Sequence, residues 1–309
     1  MSKYIIKRLI MSIITIWLII TLVFFLMRLM PGSPFTSERN VPPQVLENMK
    51  AQFGMDKPVW EQYLMYMKGL LKGDLGPMLR KPGRMVSDYI VYLFPASAKL
   101  GAVAVVTALV FGMVLGVLAA FNQGKLIDRL VMIIATVGIS VPGFVLASLL
   151  LLFVGLKLDL LPVTGLTSWK HYILPALSLA GYPIAFIARL TRSRLLDVLK
   201  SDYIRTARAK GIKDRKVIMK HALRNTLIPV VTYVGPLVAG ILTGSFAIEG
   251  IFSIPGLGRE FVSAIQQRDY TMLQGVIIFY ATFLILLNFF TDILYVVIDP
   301  RIKIDGSEA

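Results

Sequence analysis

Apolar residues in this chain fall in long unbroken runs rather than in the short alternations or narrow stripes of a soluble fold. A helix needs about 20 predominantly apolar residues to cross the hydrocarbon core, where no backbone polar group is left unpaired. The runs Leu9 to Met30, Leu100 to Phe121, Leu130 to Leu156, Tyr172 to Leu190, Leu227 to Ile248 and Met272 to Ile298 meet that test. The pattern predicts an all-α membrane protein with six transmembrane helices. Lys3, Lys7 and Arg8 precede the first run as they would in a signal peptide. Its apolar length exceeds the usual stretch of about 7–15 residues and no small-residue cleavage site follows, so it reads as a retained anchor.

Short connections rich in Lys and Arg stay in the cytoplasm. Basic residues cluster in the N-terminus, at Lys125 and Arg129, densely from Arg189 to Arg224, and at Arg301 and Lys303. These lie on one side of a six-span topology, which puts both termini and the fourth-to-fifth connection in the cytoplasm. The reading divides the chain into an N-terminus with the first span (1–30), an extracytoplasmic helical insertion (31–95), a core of spans two to six (96–298) with a cytoplasmic loop (191–226), and a cytoplasmic tail (299–309). Within the insertion, Pro43 suits a first helical turn, Gly54 a cap, Pro58 the start of a second helix and Gly73 its end. Trp60, Tyr63, Tyr66 and Met67 fall near helical spacing there. Packing on the bundle or the outer surface is favoured over gripping a ligand.

Composition agrees with lipid as the solvent: 56% of the residues are hydrophobic and the mean hydropathy is +0.71. A net charge of +15 would suit a nucleic-acid binder, but its confinement to one set of connections points to topology, and no nucleic-acid partner is expected. The absence of cysteine excludes disulfides and thiolate metal sites. His171 and His221 fall at opposite faces, so no metal site is expected. Asn288 and Asp292, one turn apart on the last run, are the strongly polar pair well inside a predicted span. A proton-coupled carrier would use Asp292, but a hydrogen-bonded packing contact is the favoured role. No G-x-x-x-x-G-K-[ST] loop occurs, so ATP is not bound by that route. Helix breakers at Pro142-Gly143, Pro175, Pro183 and Gly235-Pro236 mark bends or the lining of a moving cavity.

The stretch Ser201 to Gly211 reads as a short helix with a stop. Ser201 or Asp202 suits the N-cap, Ala207 and Ala209 favour helix, and Gly211 suits a left-handed closure. Tyr203, Ile204, Ala207 and Gly211 share a face, while Arg205, Arg208 and Lys210 point elsewhere. A small apolar face beside basic ones fits insertion into another protein's groove better than a lipid surface, which favours bulky residues.

The same stretch resembles the E-A-A-x-x-x-G loop of ABC importer permeases. Arg205, Thr206 and Ala207 stand at the E-A-A positions, Gly211 at the glycine, and Pro229 at the later proline. Arg205 in place of glutamate, and the long interval to Pro229, are similar to the peptide-transporting branch. Tyr4 to Leu9, Pro31-Gly32-Ser33-Pro34, Gly73-Asp74-Leu75-Gly76-Pro77, Glu249 to Gly258 and Asp299-Pro300-Arg301 resemble, in that order, the B-type subunit of oligopeptide permeases. Dipeptide and nickel permeases share most of these signatures, and Gly76-Pro77 looks more like the oligopeptide branch.

The resemblance implies the type I ABC importer permease fold in a bacterial plasma membrane. It implies half of a pathway for oligopeptides, shared with a second, C-type permease subunit, two cytoplasmic ATPases that hold ATP and Mg, and an extracytoplasmic peptide-binding protein. The chain itself is then non-catalytic and binds no cofactor. Asp202, Tyr203, Ile204, Arg205, Thr206, Ala207, Arg208 and Gly211 would form the ATPase-coupling helix. Pro142, Gly143, Pro183, Gly235, Pro236, Asn288 and Asp292 are the candidates for pathway or gating. The scarcity of buried charge suggests that cargo is met by backbone groups in a cavity of the third to fifth spans.

Overall fold

The computed structural model describes residues 2–29, 44, 47, 51, 54–81, 83–213 and 216–298. Pro31 to Pro34, Pro43, Asp214, Arg215 and the 299–309 tail lie outside the described residues. Among those described, regular structure is helical, apart from an antiparallel bridge between Pro77 and Met85. Five helices are long and apolar enough to cross a membrane, and a bent pair brings the number to six, as the apolar runs predict. By compactness the chain forms two units, 1–95 with 256–309, and 96–255. The first unit holds the first and last apolar runs, and the second holds the runs between them.

In the first unit, α1 (Ser2–Leu29) packs along α10 (Tyr270–Ile298). Arg8 Nε donates to Asp292 Oδ2 at 2.6 Å. Phe24, 1% exposed, lies edge-on to Tyr63 of α2 (Val59–Leu70), with ring centroids 5.4 Å apart. Arg28 Nε donates to Gln62 Oε1 at 2.8 Å. Tyr63 and Tyr66 therefore bind α2 to α1, while Trp60 is exposed. That is the packing role favoured for this helix. Burial raises the pKa of the Tyr66 hydroxyl above its ordinary value.

The segment after α2 docks on Asp269, which precedes α10. This buried carboxylate accepts the backbone N–H groups of Leu79 (3.4 Å), Arg80 (3.0 Å) and Met272 (3.0 Å). It caps the last helix and holds the loop together. Lys81 Nζ adds bonds to Tyr89 at 2.7 Å and to Glu260 of α9 (Leu257–Gln267) at 2.9 Å. Burial alone would lower the Lys81 pKa, but the bonds to Tyr89 and Glu260 outweigh it, and the net shift is upward.

The second unit takes most of α3 (Val86–Phe121), then α4 (Leu126–Ser140), α5 (Gly143–Leu150, continued by a π-helical turn to Lys157), α6 (Ile173–Leu199), α7 (Asp202–Ala209) and α8 (Leu223–Ile251). Close contact is built on glycine. A β-carbon on Gly116 of α3 would stand 2.5 Å from the Ala188 carbonyl oxygen of α6, so the small residue permits the approach.

Three boundaries correct the sequence reading. The third run is not one straight helix: α4 and α5 meet at 107°, because Pro142 takes an extended ψ of 140° and has no N–H with which to continue the ladder. The second and fourth helices outrun their apolar stretches, starting at Val86 and ending at Leu199. Hydropathy measures the depth of lipid, whereas Arg, Leu and Ser propagate a helix beyond it. Pro175 is not a breaker, since it lies in the first turn of α6, where an N–H has no intrahelical partner.

Candidate functional site

Helix α7 spans Asp202–Ala209, where its end signals predict it, but the Ser201 hydroxyl does not cap it: Oγ donates to the Val198 carbonyl at 2.6 Å. The N–H groups of Ile204 and Arg205 bond to the Ser201 carbonyl at 3.1 and 3.2 Å, and Thr206 Oγ1 bonds to the Asp202 carbonyl at 2.9 Å. At the far end Gly211 takes φ +72° and Ile212 N–H reaches back to the Ala207 carbonyl at 3.3 Å. This six-to-one bond closes a helix over a left-handed residue.

The inner face is not free. Ile204, fully buried, and Ala207, 8% exposed, pack in one cluster with Leu195 of α6, Ala120 of α3, Val217 and Ala222. Part of the small apolar face expected to enter a partner is thus the helix's own seat. Ile204 alone removes a large branched side chain from water, so burial against the chain wins over display. Asp202, Tyr203, Arg205, Thr206, Ala209, Lys210 and Gly211 are exposed. Tyr203 is steadied by Asn225 Nδ2, which donates to its hydroxyl at 2.8 Å. Arg205 Nη1 lies 3.8 Å from Asp202 Oδ1 on a solvent-facing surface, and such a pair contributes little.

Three of the predicted helix breakers converge. Gly143 at the start of α5, Pro183 of α6 and Pro236 of α8 line one cavity of about 320 Å³, with Phe144, Tyr182, Tyr233 and Gly240 among the other walls. Phe186 stacks with Tyr182 and tilts against Tyr233, centroids 6.3 and 4.4 Å apart. Among the described residues the lining contains no charged side chain. Pro142, the cap of α5, and Gly235, buried beside Pro236, are not among the lining residues. Asn288 and Asp292 are not in this lining: both belong to the first unit, where Asn288 is exposed and Asp292 is paired with Arg8. Among the described residues no group of three or more His, Asp or Glu side chains could hold a metal.

Sequence reasoning missed Asp128 and Arg192. Arg192 Nε and Nη2 donate to Asp128 Oδ1 and Oδ2 at 2.6 and 2.7 Å, and Gly124 N–H adds 2.9 Å to Oδ2. Arg192 is part of the basic stretch that sets orientation, but it lies on the extended end of α6 rather than in a loop. The signal available was an aspartate beside Lys125 and Arg129, too common to single out.

Residues 112–304 match the family of binding-protein-dependent transport system inner membrane components, and residues 1–80 match the N-terminal membrane component of such systems. The chain belongs to this family. Relatives of this binding-protein-dependent permease cover it from end to end. The dipeptide transport system permease protein DppB of Bacillus subtilis (strain 168) is 47% identical over 98% of this chain and 99% of its own length. The oligopeptide transport system permease protein OppB of Haemophilus influenzae is 44% identical over 98% and 100%, and that of Escherichia coli K12 is 43% identical over the same shares.

Proposed function

We propose that this chain is one of two permease subunits of an ATP-driven importer of peptides in the bacterial inner membrane, with both termini cytoplasmic. The observation that carries the reading is end-to-end likeness to dipeptide and oligopeptide permeases, joined to a short helix seated by its inner face and exposed along its outer one. The sequence has no phosphate-binding loop, so ATP and Mg belong to two separate ATPase subunits. The partners are those subunits, a second, C-type permease and an extracytoplasmic peptide-binding protein.

In this mechanism α7 receives movement and does no chemistry. Closure of the ATPases around ATP displaces α7, and α6 follows because Leu195 and Ile204 are packed together. The bundle then exchanges between outward-facing and inward-facing states, with ligand and nucleotide each favouring one of them. Cargo meets the uncharged cavity at Gly143, Pro183 and Pro236 through backbone and aromatic groups, which suits peptides of varied side chain. We take oligopeptides as the cargo; dipeptides or nickel are the alternative. The Arg8–Asp292 pair speaks against a proton-linked carrier, because that carboxylate already has a cationic partner.

The test is reconstitution. The purified chain alone, and the full complex, are placed in proteoliposomes with labelled peptide and loaded binding protein. The proposal expects uptake only from the full complex, dependent on ATP and stopped by vanadate. Uptake by the chain alone, or uptake abolished by an uncoupler while ATP persists, removes it.

A further inference from the structure

We infer that Asp128 and Arg192 form the link that carries movement of α7 into the broken span α4–α5, and so into the cavity wall. The inference rests on reading α7 as the ATPase-facing helix.

The pair has the properties of a rigid link. Two parallel bonds of 2.6 and 2.7 Å fix both distance and angle. The Asp128 side chain is 6% exposed and that of Arg192 25%. Separating such a pair leaves a buried charge unpaired, so it holds through a movement that loosely packed contacts would not survive.

Its position joins two working parts. Three residues beyond Arg192 on α6 stands Leu195, in the cluster that seats Ile204 and Ala207 of α7. Movement of α7 thus reaches α6 within one helical turn of the ion pair. On the other side, Asp128 lies in the first turn of α4, and α4 is fastened to α6 along its length. Arg189 Nη2 donates to Thr136 Oγ1 at 3.1 Å, and a β-carbon on Gly138 would come within 3.1 Å of the Ala185 β-carbon. Helix α4 therefore travels with α6 as one body until Ser140. The chain then turns through 107° at Pro142, and the residues just past the bend, Gly143 and Phe144, line the cavity. A bend between two straight helices is where a difference in their movement is taken up.

The experiment uses the complete complex in proteoliposomes and measures, on the same vesicles, peptide uptake and ATP hydrolysis. The variants are Asp128→Asn, Arg192→Gln, both together, and Arg192→Lys. Each single neutralisation should lower peptide taken up per ATP about tenfold, within the range usual for coupling between sites, with assembled complex unchanged. The double variant should be no worse than either single one, since the two side chains act as a unit. Arg192→Lys, which keeps the charge and loses the fork, should fall between.

Wild-type uptake per ATP in both single variants overturns the inference, as does a proportionate fall of uptake and hydrolysis, which marks a merely structural staple. If the neutralised forms fail to assemble, Arg192→Lys decides: a wild-type ratio there overturns the inference. Failure of the α7 reading is seen separately. Thr206→Trp on the exposed face would then leave copurification of the ATPases and stimulated hydrolysis unchanged, whatever the ion-pair variants do.

Discussion

Ile204 of α7 and Leu195 of α6 are both fully buried and meet in one cluster. The contact makes the short helix an extension of the long one rather than a loose appendage. Ile204→Ala removes buried methyl groups and should cost about 2–4 kcal/mol of local stability, whereas Ile204→Leu should cost less than about 1.5 kcal/mol. Limited proteolysis of the 200–213 segment checks this: the alanine form is cut faster and transports less, and the leucine form behaves as wild type.

Gly211 holds φ +72°, and a β-carbon there would meet nothing within 4 Å among the described residues. The need for glycine is therefore conformational within the chain, and any steric need comes from a partner. Gly211→Asp should uncouple transport, abolishing peptide-stimulated hydrolysis and uptake together. Gly211→Asn and Gly211→Ala separate the two causes. Asparagine tolerates the left-handed region better than alanine, so higher uptake in the asparagine form assigns the role to backbone closure. Higher uptake in the smaller alanine form assigns it to close approach by a partner.

Much of this arrangement was legible in the runs of residues, and the remainder was hidden for identifiable reasons. Six apolar stretches gave the spans, because lipid imposes a length and a composition that few other environments share. The close of α7 was readable because Gly211 acts within one turn of itself, whereas the Ser201 hydroxyl turns back to the Val198 carbonyl of α6 instead of capping α7. The direction its face points was not, because Ile204 is as consistent with a seat in its own chain as with a groove in a partner. Pro142-Gly143 announced a break but not an angle of 107°. Asp128 and Arg192 stand far apart in sequence and were invisible as a pair for that reason. Asp269 was likewise unreadable, since its partners at Leu79 and Arg80 come from a distant loop.

Asp269 satisfies three backbone donors at once. Asp269→Ala should lose the helix cap and leave buried N–H groups unpaired, about 2–4 kcal/mol in all. Amide hydrogen exchange at Leu79, Arg80 and Met272 should speed up together in that variant. Unchanged exchange at Leu79 and Arg80 would show that other contacts hold the loop.

Asp292 is bonded to Arg8, so its carboxylate is accounted for without a proton to carry. Asp292→Asn should keep peptide uptake within about threefold of wild type, as expected when one partner of a partly exposed pair is neutralised. Uptake should remain dependent on ATP. Abolition of uptake with the complex still assembled would return the proton-linked carrier to consideration.

Thr206 faces outward on α7 and Ile204 faces inward, and the chain has no cysteine of its own. A single cysteine can therefore be placed at either position without background. With Thr206→Cys, a maleimide benzophenone attached at that thiol should, on irradiation, insert into a C–H bond of an ATPase subunit and so join the two chains, and the yield should change when ATP is trapped with vanadate. With Ile204→Cys the same reagent should join nothing. Absence of an ATPase adduct from position 206 in a complex that still hydrolyses ATP and takes up peptide would contradict the claim that this helix is where the importer is driven.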